Sequence, residues 1–116
     1  MQHITILERD PIIAEDIRDT MAALFPDAVI DVHDEVRAFC DALAARAAPN
    51  GLAIVHATTG ELRDPELARI LTARDVRTVA IRAPLADAAF AAWVFLTPPF
   101  TTPDLQAAAL RAIRRI

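Results

Sequence analysis

The sequence predicts one α/β domain over residues 1–116, with a parallel sheet covered by helices on both faces. Three observations carry that reading. Five short β-like runs alternate with stretches of helical periodicity. The third run, Leu52-Ala53-Ile54-Val55, is apolar throughout, and Thr78-Val79-Ala80-Ile81 is similar, as strands buried on both faces are. A chain of 116 residues holds one modest core and has no room for two.

The elements follow in order. Ile4-Thr5-Ile6-Leu7 is rich in β-branched residues and ends at Glu8. Asp10-Pro11 then gives a cap followed by proline at the first helical position, and Ile13, Ile17, Met21 and Leu24 recur at helical spacing. Phe25-Pro26-Asp27 stops that helix. The second strand is Ala28–Val32, with Asp31 marking an exposed or edge position. Asp34 is the expected cap of a second helix carrying Val36, Phe39, Cys40 and Leu43 on one face. A short loop, residues 47–51, leads into the strand at Leu52–Val55.

Asp64-Pro65 repeats the cap-and-proline signature before Leu67, Ile70 and Leu71. Glu61-Leu62-Arg63-Asp64, just ahead of it, reads as an exposed loop. A short fourth helix is expected over Ala86–Ala92 and a fifth strand over Trp93–Leu96. Thr102-Pro103-Asp104 opens the last helix, with Leu105, Ala109, Ala112, Ile113 and Ile116 inward. Arg114 and Arg115 lie in its final turn, where positive charge suits the helix dipole.

Composition excludes several kinds of chemistry. Apolar residues make up 54% of the chain, but 25 of the positions are alanine, so large core side chains are fewer than that share suggests. The net charge of -4 gives no footprint for nucleic acid. There is no Lys, Ser or Tyr, which removes any lysine-amine or serine-nucleophile mechanism. One cysteine, Cys40, rules out an internal disulfide or a multi-cysteine metal site, and its place on a helical stripe makes it core. The longest apolar run, Ala88–Leu96, is far too short to span a membrane, and charge comes too early for a secretory signal. The cytoplasm is the expected compartment.

In open parallel sheets, function gathers at the carboxyl ends of the strands. Here those ends are Glu8-Arg9-Asp10, His56-Ala57-Thr58, Arg82-Ala83 and Thr97-Pro98-Pro99-Phe100. The layout resembles the receiver domain of bacterial response regulators, the CheY-like fold. The likeness spans nearly the whole chain. It is firmest in the opening Ile-Leu-Glu-Arg-Asp-Pro-Ile-Ile and the closing Phe-Leu-Thr-Pro-Pro-Phe-Thr-Thr-Pro-Asp-Leu. It implies a flavodoxin-like three-layer α/β/α sandwich, strand order 2-1-3-4-5, about five helices, and a cis bond at Pro98-Pro99.

Receivers accept a phosphoryl group on an aspartate ending the third strand. Two acids after the first strand help hold Mg²⁺, and a Thr or Ser and a Lys bind the phosphoryl oxygens. Position by position, the resemblance implies a degenerate pocket. Glu8 matches the first acid. Arg9 stands in place of the second, His56 in place of the acceptor, Arg82 in place of the hydroxyl residue and Pro98 in place of the lysine. These residues give the pocket a net positive formal charge, against the negative pocket that attracts a hard divalent cation. No metal, cofactor or catalytic residue is expected, and the protein is not expected to be an enzyme.

Two functional readings remain. The first is a stand-alone, phosphorylation-independent signalling module acting through protein contacts in a two-component-type pathway. Its partner would be a sensor kinase, regulator or output protein. It could also pair with itself through a helix 4–strand 5–helix 5 face bearing Phe90, Trp93 and Phe100. The alternative is a module binding a small anion or metabolite through Arg9, Arg82 and His56. Blander roles stand beside these: His56 hydrogen-bonded near a strand end, Arg9 paired with Asp10 or Glu8, and Glu15, Asp16 and Asp19 on a solvated helix face. His3 and His33 fall near opposite ends of their strands, so three histidines do not make a zinc site.

Overall fold

The computed structural model describes residues 2–45, 51–73, 76–86 and 90–114. Its strands are β1 (His3–Leu7), β2 (Val29–His33), β3 (Gly51–Val55), β4 (Arg77–Ala80) and β5 (Val94–Phe95). They form one all-parallel sheet of order β2-β1-β3-β4-β5, the order the resemblance implied. The helices are α1 (Pro11–Leu24), α2 (Val36–Ala44), α3 (Thr59–Leu62), α4 (Pro65–Ala73) and α5 (Thr102–Arg114). Pro98-Pro99 is cis, as expected.

Alternation along the strands sorts the core into two layers. Ile4, Ile6, Leu52, Ile54, Val79 and Val94 face α1 and α5, where they meet Ile17, Met21, Leu105 and Ala109. Leu7, Ala53, Val55 and Ala80 face the other way, onto Phe39, Leu43, Leu62, Leu67 and Leu71. Alanine at three inward positions of α5 (Ala108, Ala109 and Ala112) brings that helix close to the sheet.

Capping explains where most helices start. Asp10 Oδ1 accepts from the Ile12 and Ile13 amides at 2.9 and 3.3 Å. Asp64 does the same for Glu66 and Leu67 at 2.9 and 3.3 Å. α5 is capped one residue earlier than expected. Thr101 Oγ1 accepts from the Asp104 amide at 3.2 Å, and Asp104 returns the bond to the Thr101 amide at 3.0 Å. Asp34 does not cap α2: the N-cap is Glu35, without a side-chain bond.

Two further expectations are corrected, and a third lies partly outside the described residues. Residues 61–64 are an exposed loop only at Arg63 and Asp64. Glu61 and Leu62 belong to α3, and Leu62 is wholly buried because the turn places it against the α2–α4 layer. Gly51 opens β3 and is not part of the preceding loop; residues 47–50 of that loop lie outside the described residues. The helix expected over Ala86–Ala92 falls partly on residues 87–89, also outside them. Of the described residues in that range, Ala86 is not helical, Phe90 is in a 3₁₀ turn, and Trp93 N–H bonds the Phe90 carbonyl at 3.1 Å.

Candidate functional site

The strands end in register, so their C-terminal residues share one edge. Leu7 pairs with Val55, Val55 with Ala80, and Ala80 with Phe95. The ladder runs one residue further, through His56 N–H to the Leu7 carbonyl at 2.9 Å and Ile81 N–H to the Val55 carbonyl at 2.8 Å. This geometry brings Glu8, Arg9, His56, Arg82 and Pro98 together around one open cleft of about 560 Å³, with Ala57, Thr58 and Thr59.

Glu8 forms the floor of the cleft. Its side chain is 3% exposed, and a buried carboxylate needs partners. It has two: the Asp10 amide donates to Oε1 at 3.1 Å, and His56 Nδ1 meets Oε2. His56 is more open, at 38% exposure. A carboxylate on Nδ1 fixes the ring's orientation and leaves Nε2 as the nitrogen directed away from the pair.

The arginines are also engaged. Arg9 Nη2 bonds Glu61 Oε2, not Glu8 or Asp10 as expected. Glu61 is held in place by the start of α3. Its Oε1 accepts from the Thr58 amide at 3.0 Å, while Thr58 Oγ1 accepts from the Glu61 amide at 3.2 Å. That capping box, joined by burial acting in the opposite sense and by Arg9, holds the Glu61 carboxyl below its ordinary range. Arg82 donates Nε–H to the Ala83 carbonyl at 2.9 Å and Nη1–H to Thr59 Oγ1.

Glu61 is the residue that sequence reasoning missed. Its signal was present: Thr58-Thr59-Gly60-Glu61 has the spacing of a capping box. With Glu61 counted, the cleft and its rim hold two carboxylates and two guanidiniums, of which only Arg9 and Glu61 pair directly. The net positive charge read from the five strand-end residues is therefore corrected to a balanced set.

The remaining sequence candidates lie apart from this cleft. Phe90 and Trp93 are not surface anchors. They are 3% and 5% exposed, with ring centroids 4.6 Å apart at 50°, and they pack into the α2–α4 layer. Phe100 is half-buried against the α1–α5 layer. Cys40 is buried, and burial first, then Glu66, Asp64 and Asp41, pushes its thiol up to about 11, which suppresses the nucleophilic thiolate. His3 opens β1 and His33 ends β2, with His33 Nε2 on Asp31 Oδ2 at 2.7 Å. Among the described residues, no cluster of three or more His, Cys, Asp or Glu could hold a metal, and no helix is long and apolar enough to cross a membrane.

Solved structures with this architecture point one way. A response regulator receiver domain protein from Bacillus halodurans matches with a TM-score of 0.75 at 21% identity, covering 95% of each chain. A protein described as a transiently phosphorylated switch in bacterial signal transduction gives 0.68 at 16% identity, over 96% of this chain and 93% of that one. A response regulator from Colwellia psychrerythraea gives 0.61 at 16% identity, over 99% and 98%. No family model matches the sequence, and no curated protein matches it significantly. At such identities the likeness is one of architecture, and the fold it gives the chain is that of a response-regulator receiver domain.

Proposed function

We propose that this protein is a receiver-like signal-transduction module that works by binding protein partners, without phosphorylation and without enzymatic activity. The observation that carries the reading is the occupant of the β3 end. Where a receiver would carry its acceptor aspartate stands His56, turned onto Glu8. No lysine exists to neutralise a phosphoryl group.

The residues present do not suit Mg²⁺ either. A hard cation needs several oxygen ligands with carboxylate charge. The one acid matching the receiver pattern, Glu8, is buried and already bonded to His56 and the Asp10 amide. The neighbouring position carries the guanidinium of Arg9. Without metal or acceptor, phosphoryl transfer loses its charge stabilisation and its nucleophile.

The partner class that fits this reading is a sensor kinase, regulator or output protein of a two-component-type pathway, in the cytoplasm. Burial of Phe90 and Trp93 removes two of the three aromatic anchors expected for pairing of two copies through the helix 4–strand 5–helix 5 face, and leaves the half-buried Phe100. The anion-binding alternative has less support as the protein's function, since no anion site stands ready: Arg9 holds Glu61 and Arg82 holds Thr59, and an anion would first have to displace both.

Two measurements test the proposal. Beryllofluoride with Mg²⁺ should leave Trp93 fluorescence and the melting temperature unchanged, because ligand-linked stabilisation needs a site. A clear shift in either would mean a working phosphoryl pocket. A pull-down with the tagged chain should recover two-component proteins, and recovery of none from the source cell would remove the interaction half of the proposal.

A further inference from the structure

Three residues separate the end of β3 from α3, whose four residues are tied from both sides. Arg9, from the loop after β1, holds Glu61. Arg82, from the segment after β4, holds Thr59. In the sheet β1 and β4 flank β3, so the short helix is fastened to both neighbours of its own strand.

The two ties differ in kind. The Arg9–Glu61 pair is ionic and open to solvent, with side chains 47% and 28% exposed. An ion pair so placed resists competition weakly. Arg82 is half-buried and bonds only neutral acceptors, a carbonyl and a hydroxyl, and no carboxylate reaches it among the described residues. Guanidinium forks bind phosphate and carboxylate oxygens in pairs, which neither present tie provides in full. Both arginines line the same cleft.

We propose that these ties form a strap that holds α3 closed in this state, and that an oxyanion opens it by drawing Arg9 and Arg82 away from Glu61 and Thr59. The inference rests on the reading that no aspartyl phosphate switches this cleft. Opening proceeds by competition and needs no covalent step.

Amide hydrogen exchange on the full chain tests it, in inorganic phosphate against sodium chloride at matched ionic strength. In the unmodified protein, the amides of Leu62 and Arg63, which bond back to Thr58 and Thr59, should exchange severalfold faster in phosphate. The Arg9→Gln/Arg82→Gln double variant should show that faster exchange already in chloride and gain nothing from phosphate. Thr59→Ser, which keeps the hydroxyl, should behave as the parent. Equal protection in the two salts would overturn the strap. So would a double variant that still responds to phosphate, or faster exchange spread evenly through β1 and β3. Intact mass after acetyl phosphate judges the underlying reading separately: an adduct would remove that reading, whereas the exchange result on unlabelled protein judges the strap.

Discussion

The two faces of the sheet are closed by different means. On one, α1 and α5 lay long amphipathic helices over the inward residues of all five strands, those of β2, Ile30 and Val32, being only partly buried. On the other, α2 and α4 supply most of the cover, α3 adds Leu62, and an aromatic pair joins them from the turn before β5. The layer with the shorter helices draws on two large rings to complete its apolar cover. Buried there, those rings are lost to the surface as contact anchors.

The sharpest test of that contrast is also the largest expected effect. Trp93→Ala should cost about 3–5 kcal/mol in denaturant unfolding, comparable with the roughly 2–5 kcal/mol of Ile17→Ala on the helical face. A loss well under ~1 kcal/mol would return Trp93 to the surface, where truncation is nearly neutral.

The next effect lies at the cleft floor. Glu8→Ala removes the buried carboxylate and leaves His56 Nδ1 and the Asp10 amide without their acceptor. We expect a loss of about 1.5–3 kcal/mol, typical of hydrogen bonds involving a charged group. Thermal and urea melts of Glu8→Ala beside Glu8→Gln will separate charge from shape, since the amide retains one acceptor oxygen.

Helix caps give a smaller and paired prediction. Asp10→Ala should cost about 1 kcal/mol, because its carboxylate satisfies two first-turn amides. Asp34→Ala should stay within about 0.5 kcal/mol, because no side-chain bond caps α2. Equal losses at the two sites would contradict the capping assignment.

The smallest effect is in pH dependence. The Glu61 carboxyl is held below its ordinary value of 4.5, chiefly by the Thr58 amide and then by Arg9. A carboxylate depressed in the folded state contributes stability that is present above its unfolded pKa and is lost as pH falls through the folded one. Acid titration of stability for parent and Glu61→Gln should therefore show a difference under ~1 kcal/mol at neutrality that closes as pH falls through the depressed carboxyl's titration.

These comparisons also locate what the sequence could tell. α1 was legible to its ends, because Asp10-Pro11 and Phe25-Pro26 mark both boundaries and the apolar spacing between them is regular. Strand limits shifted by a single residue, since β propensity marks a buried run but not the register that ends it. Gathering of Glu8, Arg9, His56 and Arg82 at one edge followed from parallel topology alone. The pairing within that edge did not. Glu61 is 52 positions from Arg9, and only the α3 turn brings them together. The aromatic pair was misread for a related reason: Phe90 and Trp93 sit three apart among alanines, a pattern that suits a helix face as well as a turn folded onto the core.

The proposed function requires that the side chains of the strand-end cleft be committed to one another and offer no acceptor for a phosphoryl group. Intact mass after incubation with acetyl phosphate and Mg²⁺ reads this out. The predicted result is an unchanged mass at every time point. A hydroxylamine-labile adduct of one phosphoryl group would contradict the claim.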